Sequence, residues 1–152
     1  MENVDSIRFT GARFIDWNEE EIIRYVGKES GSQTSKLLGI FFHDAHIGNI
    51  RIHSIDRNNE TCEVGILIFE KQSRGKGFGS EALMKALDFI QEDLKLTRVT
   101  ADYFQENLAS CRLFQKCGFM IEGVFRNHFK NLDSTFSNSV RVGLNFGTRA
   151  NQ

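Results

Sequence analysis

The sequence predicts an α+β (α/β) fold, in which a mixed central sheet is flanked by helices. Three successive strand-like stretches follow a first helix, which indicates an antiparallel meander. The clearest helical pattern of the chain, residues 80–93, then separates two strand-like stretches, as in a crossover connection. Residues 64–69 are almost continuously apolar, which is typical of a central strand buried on both faces.

The first helix is predicted to begin at Asn18, whose side chain can cap the first turn. Three glutamates follow it, and their negative charges interact favourably with the positive N-terminal end of the helix. Gly27 and Gly31 are predicted to weaken the helix and to end it. The apolar stripe consists of Ile22, Ile23 and Val26.

The meander is predicted to consist of strands at 36–42, 47–55 and 61–69, with polar turns between them. The second half of the chain is predicted to hold two helices and three strands. These are a helix at 80–93, a strand at 97–102, a short helix that Asn107 caps and Gly118 ends, and strands at 119–125 and 139–146. The polar stretch 126–138 is predicted to connect the last two strands.

Length and composition indicate one domain that spans residues 1–152. The 19 basic and 20 acidic residues nearly cancel, so bulk charge gives no sign of a nucleic-acid partner. No apolar run approaches the about 20 residues of a membrane helix, and the N-terminus has no signal-peptide pattern. Three cysteines without paired spacing fit a reducing cytoplasm, and we expect a cytoplasmic protein without a metal site.

A glycine-rich segment lies between the buried strand and the clearest helix, with glycine at 75, 77 and 79. Glycines allow positive φ and a close approach of backbone N–H groups to an anion, helped by the N-terminus of the following helix. Arg74 and Lys76 add positive charge. A phosphate or diphosphate is therefore the expected ligand, although a glycine-rich turn that only eases helix packing remains an alternative.

Two common phosphate-binding motifs do not match this segment. Ser80 stands where a Walker loop after Gly75 needs its second glycine, and also where a dinucleotide fingerprint needs its third. The pattern that remains is Arg-x-x-Gly-x-Gly at Arg74, Gly77 and Gly79, and it resembles the loop by which the GNAT acetyltransferases grip the diphosphate of acetyl-coenzyme A.

A second segment, residues 107–119, resembles the other GNAT motif, Asn-x-x-Ala/Ser-x-x-x-Tyr/Phe-x-Lys-x-Gly-Phe. Residues 39–41, 47–50 and 63–66 are similar to the RimJ/RimL-like branch, the ribosomal-protein N-acetyltransferases. The resemblance covers about residues 18–146 and implies a GNAT fold with splayed central strands. Residues 11–17 resemble the end of the family's first strand–helix region, so we expect these first elements to be shortened, missing or replaced by a strand near 6–10.

The resemblance implies acetyl-CoA as co-substrate and three groups of residues that hold it. The expected cofactor-binding residues are Ile66, Leu67 and Ile68 of the splayed strand, Arg74, Gly75, Lys76, Gly77, Phe78, Gly79 and Ser80 of the loop, and Asn107, Phe114 and Lys116 of the second motif. Asn107 has two roles open to it, a plain helix cap and a contact to the pantetheine arm.

Glu63 is the expected general base, because a carboxylate there lies before the buried run and near the acceptor cleft that the resemblance implies. A solvated strand residue or an ion-pair partner is its alternative, and His53 and Asp56 are weaker candidates. The family often has a tyrosine proton donor at the position of Phe114, which cannot donate. Ser110 is expected to stabilise the leaving thiolate, as the resemblance to the RimL-like branch implies, unless it only caps or packs.

The function that the resemblance implies is acetyl transfer from acetyl-CoA to a primary amine, by direct attack in a ternary complex. The acceptor is a small molecule or a protein N-terminus. A non-catalytic coenzyme A-binding protein or sensor is the alternative. A bare sheet edge at the shortened N-terminus further predicts a homodimer.

Overall fold

The computed structural model describes residues 8–10 and 18–147. Within these ranges three α-helices and six strands follow one another along the chain. Their bounds are α1 Glu19–Ser30, β1 Lys36–Phe42, β2 Ala45–Asp56, β3 Thr61–Ile68, α2 Phe78–Glu92, β4 Arg98–Phe104, α3 Leu108–Lys116, β5 Met120–Lys130 and β6 Phe136–Asn145. A short 3-10 helix, Lys71–Ser73, lies between β3 and α2.

The six strands form one mixed sheet in the order β1-β2-β3-β4-β6-β5. All neighbours are antiparallel except β3 and β4, which are parallel and are joined by the crossover through α2. The predicted α+β fold, the meander and the crossover are thereby confirmed.

The parallel pair of β3 and β4 separates soon after it forms. Thr61–Glu63 pair with Arg98–Thr100, and no further ladder partners join the two strands. β3 continues to Ile68 and β4 continues to Phe104. The splayed central strands that the resemblance implied are therefore present, and Glu63 lies at the last paired position, which we call the apex.

Helices α2 and α3 cover one face of the sheet. Their buried side chains join a single core with alternate residues of the strands. The most enclosed members of this core include Ile50, Ile52, Leu83, Ile90, Val99 and Val142. On the strands, the residues between these core positions point to the opposite face, which we call the polar face because it carries Arg51, His53, Glu63, Asp102 and Arg141.

Helix α1 is attached to the polar face by an ion pair. Asn18 caps the helix, as predicted, by accepting a hydrogen bond from the Glu21 N–H at 3.0 Å. Gly27 lies inside the helix, which ends only at Gly31. The buried Glu29 carboxylate accepts a hydrogen bond from Arg51 Nη2 at 2.8 Å, and this bond lowers the pKa of Glu29.

Two predicted boundaries were wrong. Helix α2 begins at Phe78, two residues before the predicted start, because Gly77 in the left-handed conformation serves as its N-cap. Most of the polar stretch 126–138 belongs to the long antiparallel hairpin of β5 and β6. Backbone pairing joins its two strands, and the Phe129 ring stacks on Phe104 of β4 at a centroid distance of 4.2 Å, so the solvent-facing residues of the hairpin need no apolar alternation.

The expectations for residues 11–17, and for residues 6 and 7 of a strand near 6–10, lie outside the described residues. Residues 8–10 are described, and they form a turn and a bend instead of the expected strand. Within residues 8–10 and 18–147, none of the helices has both the length and the apolar character needed to cross a lipid bilayer.

We expect Glu29→Gln to lower the free energy of unfolding by about 1–3 kcal/mol at pH 7, because it removes the charge that Arg51 pairs with. The folded state lowers the pKa of Glu29, so this contribution is complete above the pKa of the unfolded state, about 4.3, and is lost as pH falls through the folded value. Urea unfolding at pH 7 and pH 3 measures the difference between the two proteins.

The matched control is Glu21→Gln, which removes an exposed pair with Arg24 one helical turn away. It should change stability by at most about 0.5 kcal/mol. A Glu29→Gln protein as stable as the wild type at pH 7, or a difference that grows toward acid, would contradict the prediction.

Candidate active site

The glycine-rich loop has the backbone shape of an anion cradle. Gly75 and Gly77 have φ values of +71° and +89°, a region in which a side chain is strained. Nothing would contact a Cβ atom at either position. These two glycines are therefore required by the backbone turn rather than by crowding.

The amino end of α2 offers unused donors beside this turn. Glu81 makes the first i→i−4 bond of the helix, to the Gly77 carbonyl at 3.0 Å. The N–H groups of Phe78, Gly79 and Ser80 precede that bond and have no helical acceptor. Together with the helix dipole they suit an anionic ligand. The Ser80 hydroxyl itself donates to the Gly77 carbonyl at 2.9 Å, so the contribution of Ser80 is its backbone.

Gly79 has a different role. A Cβ atom there would lie 2.8 Å from Leu113 Cδ1, so glycine lets α2 pass close to α3. The alternative from the sequence, a glycine that eases helix packing, is correct for this one position. The Phe78 ring packs against Phe42 at a centroid distance of 4.5 Å.

Two cations accompany the loop. The Arg74 side chain folds back on the end of β3, where Nε donates to the Ile68 carbonyl at 2.9 Å. Arg74 thus braces the loop and keeps its charge beside it. Lys76 is exposed between the two positive-φ glycines.

The diverging part of β3 offers a second binding surface. Ile66, Leu67 and Ile68 pair with β2 on one side, and beyond the apex their other side has no strand partner. Backbone groups along such an edge remain available to hydrogen-bond an extended ligand with amide groups. These residues are half-buried.

Helix α3 begins beside this groove. Asn107 is its N-cap, and its Oδ1 accepts a hydrogen bond from the Ser110 N–H at 3.1 Å. The described residues give no partner to Asn107 Nδ2 or to the Ser110 hydroxyl, so both remain available to a ligand. Lys116 is exposed in the last turn of the same helix.

Phe114 is a core residue. It is 3% exposed and lies between Tyr103 and Phe119, at centroid distances of 5.9 and 5.1 Å. Tyr103, which the sequence analysis did not select, is buried beside Cys111, and desolvation raises its pKa to about 12. A phenol so placed keeps its proton at neutral pH.

Glu63 lies on the polar face at the apex, directly opposite His53 on β2 and Thr100 on β4. Its side chain is 33% exposed, and its Oε2 is 3.9 Å from Arg141 Nη2. The carboxylate is therefore open to solvent at the point where the groove begins.

His53 adds a neutral group beside Glu63. Burial lowers the pKa of His53, and the nearby Arg51 charge lowers it further. The carboxylates of Glu63, Glu29 and Asp102 act in the opposite direction but do not outweigh these effects. His53 is thus uncharged at neutral pH. Asp56 instead accepts hydrogen bonds from the turn residues Asn58 and Asn59, so it has a structural role.

Sequence reasoning missed the arginine of this cluster. Arg141 of β6 lies opposite Asp102 of β4, and its Nε donates to Asp102 Oδ1 at 3.0 Å while Nη2 binds Oδ2. The guanidinium also lies over the Phe125 ring, 5.8 Å from its centroid. The two residues are 39 apart in sequence, so no local pattern could have joined them.

Two of the three cysteines, Cys62 and Cys117, are buried in the core. Burial raises the pKa of the Cys62 thiol to about 12, which makes this thiol a poor nucleophile at neutral pH. Within the described residues, no three His, Cys, Asp or Glu side chains come together as metal ligands.

Comparison with known proteins identifies the family to which this fold and loop belong. The model of the acetyltransferase (GNAT) domain matches residues 3–120. The chain belongs to the GNAT acetyltransferase domain family. The RimJ/RimL-like branch is not established by this match.

Curated relatives are N-acetyltransferases by name. The SPbeta prophage-derived uncharacterized N-acetyltransferase YokL of Bacillus subtilis (strain 168) is 30% identical over 132 residues, which cover 83% of this chain and 67% of YokL. The human alpha/beta-tubulin-N-acetyltransferase 9 is 35% identical over 74 residues, or 48% of this chain and 36% of that protein. The chain spans 48 to 52% of the length of three other curated Bacillus relatives.

Solved structures share the fold. A point mutant of the spermidine N-acetyltransferase SpeG from Vibrio cholerae superimposes with a TM-score of 0.76 and 22% identity, over 84% of this chain and 73% of that one. At this identity the likeness concerns the fold.

We expect Gly77→Ala to lower the free energy of unfolding by about 1–2 kcal/mol and to weaken acetyl-CoA binding, because alanine is strained at this positive φ. Thermal unfolding and calorimetry with acetyl-CoA measure the two effects. Gly123→Ala is the control, since a Cβ atom at Gly123 would meet nothing within 4 Å and the φ of this residue is not positive.

The control should bind acetyl-CoA as the wild type does and be equally stable or up to about 1 kcal/mol more stable. A Gly77→Ala protein that matches the wild type in both measurements would show that the turn does not form the cradle.

Proposed function

We propose that this chain is an acetyl-CoA-dependent N-acetyltransferase that acetylates a primary amine by direct attack in a ternary complex. The observation that carries the proposal is the position of Glu63 at the apex, where a groove lined by an unpaired strand edge begins. The N–H groups of residues 78–80, which lack a helical acceptor, follow the far end of β3. Membership of the GNAT family agrees with a role of this loop in binding the diphosphate of acetyl-CoA.

The residues fit the donor. The N–H groups of residues 77–80, with Arg74 and Lys76, suit its diphosphate. The free edge of β3 at 66–68 and the Asn107 amide suit the amides of its pantetheine arm. Acetyl-CoA supplies the acetyl group as a thioester, activated toward an amine.

The chain's own groups move the proton and stabilise charge. Glu63, directly or through a water, accepts the proton of the acceptor ammonium. A backbone N–H of Ile66 or Leu67 donates to the oxygen that becomes negative. The Ser110 hydroxyl donates to the departing sulfur, since Phe114 has no proton to give.

We place the chain in the RimJ/RimL-like branch on the sequence of residues 39–41, 47–50 and 63–66. The acceptor is then a protein N-terminus or a small-molecule amine. A curated relative bears the name of a tubulin acetyltransferase, and a solved structure of the same fold bears that of a spermidine acetyltransferase.

We expect Glu63→Gln to lower kcat by about 10²- to 10⁴-fold while acetyl-CoA binding is unchanged, because only the proton acceptor is removed. Release of CoA thiol across a panel of amines measures turnover, and calorimetry measures binding. Glu122→Gln is the control, because Glu122 lies on the polar face but pairs with Arg98 of β4. This variant should retain activity.

The same assay tests Ser110, whose replacement by alanine should lower kcat with little change in binding. Tyr103→Phe should leave kcat unchanged. A lowered kcat in Tyr103→Phe, with wild-type kcat in Ser110→Ala, would show that the Tyr103 phenol is the donor to the sulfur. Acetyl-CoA binding without turnover of any amine would favour the non-catalytic sensor, and full activity of Glu63→Gln would exclude this carboxylate as the base.

We further propose a homodimer through the edge strand β1. Among the described residues β1 pairs only with β2, and Phe41 and Phe42 are 63% and 43% exposed along it. Sedimentation at micromolar concentration should give a dimer. A monomer throughout that range would contradict this proposal.

A further inference from the structure

The carboxylates of the polar face are nearly all occupied by arginines. Three of the four are hydrogen-bonded to a guanidinium group within the described residues. These pairs are Glu29–Arg51, Asp102–Arg141 and Glu122–Arg98. Each pair is internally neutral, so this face is not a set of open acidic sites such as a polycation needs.

Glu63 is the exception among them. Its nearest guanidinium nitrogen, Arg141 Nη2, lies 3.9 Å away, beyond hydrogen-bond distance. Arg141 is instead committed to Asp102, whose side chain is only 16% exposed. The apex therefore has one carboxylate ready to bind one ammonium group.

Arg141 is fixed and still has donors to offer. Asp102 binds its Nε and Nη2 edge, and the ring of Phe125 lies beside the guanidinium plane. A guanidinium carries five N–H groups, and the described residues give no partner to the two on Nη1. With one-third of the side chain exposed, this pre-positioned group suits a carboxylate from solvent.

We infer that the acceptor is an α-amino acid, whose ammonium group binds Glu63 while its carboxylate binds Arg141. The inference rests on the proposed acetyltransferase function and names its substrate class. A single carbon separates the two charged groups of such a molecule, and Glu63 and Arg141 present the complementary charges side by side. A polyamine carries no carboxylate, so it leaves the Nη1 N–H groups of Arg141 unused.

The proposed reaction transfers one acetyl group from sulfur to nitrogen, and the nitrogen loses two protons. Glu63 accepts one proton from the ammonium group, the nitrogen forms a bond to the acetyl carbonyl carbon, and the bond from that carbon to sulfur breaks. The second proton that the nitrogen loses ends on the sulfur, which leaves as the thiol of CoA. The product is an N-acetyl amino acid, and the carboxylate on Arg141 is unchanged throughout.

The test compares free amino acids with matched amines and amides that lack the carboxylate, and with two acceptors of other classes. Leucine and phenylalanine are assayed with acetyl-CoA beside their decarboxylated amines, their amides, a leucyl dipeptide and spermidine. Thiol release gives kcat/KM, and mass spectrometry identifies the product. We expect the free amino acids to exceed the matched amines and amides by about 10- to 100-fold, since a hydrogen-bonded charge is lost in each.

Arg141→Gln should remove this preference, so that amino acid and matched amine react with similar kcat/KM, chiefly through a raised KM for the amino acid. Arg98→Gln is the matched control, because Arg98 is similarly exposed and also pairs with a carboxylate of this face. It should keep the wild-type preference. The wild-type comparison alone decides the matter if Arg141→Gln fails to fold.

Equal or faster reaction of the decarboxylated amines or of spermidine would overturn the inference. So would a dipeptide or amide that matches the free amino acid, which would point to a peptide N-terminus. If the protein binds acetyl-CoA but acetylates no amino acid, this inference is wrong while the proposed donor site is retained. If the protein does not bind acetyl-CoA, the proposed function itself is wrong.

Discussion

The parallel pairing of β3 and β4 ends after three residue pairs, and the organisation of the site depends on that early divergence. A sheet that remained paired would satisfy the backbone of Ile66 to Ile68 internally. Because β4 turns away, one edge of β3 is left for a ligand, and the last paired residue, Glu63, marks the inner end of the groove. Helices α2 and α3 cover one face of this gap, while Glu63 is directed to the other. In the proposed function, the donor therefore enters from the helix-covered side of the gap and the acceptor from the polar face.

Electrostatics then decides what can approach from the polar face. Arginines from three strands neutralise the carboxylates of Glu29, Asp102 and Glu122, and the lowered pKa of His53 leaves its imidazole uncharged. The result is a partly exposed surface with little free charge apart from Glu63. In the proposed function, the guanidinium of Arg141 beside Glu63 distinguishes acceptors by what they carry beside the amine.

Local patterns in the sequence were sufficient for the order of the elements, for the caps at Asn18 and Asn107, and for the glycine loop, because each depends on residues within one turn or strand. The sequence did not reveal that Gly79 makes room for Leu113, nor that Arg141 meets Asp102, since both contacts join distant segments. The last two strands were predicted, but their extension into residues 126–138 was missed, because this polar stretch shows no apolar alternation. The splay itself came from a family resemblance and not from composition or periodicity.

A crystal structure of the chain with bound coenzyme A tests this organisation most directly. We expect the diphosphate on the N–H groups of residues 77–80, the pantetheine arm between β3 and β4 along residues 66–68, and the sulfur within reach of the Ser110 hydroxyl and the apex. A coenzyme bound elsewhere on the molecule, or a gap between the two strands closed by side chains, would contradict it.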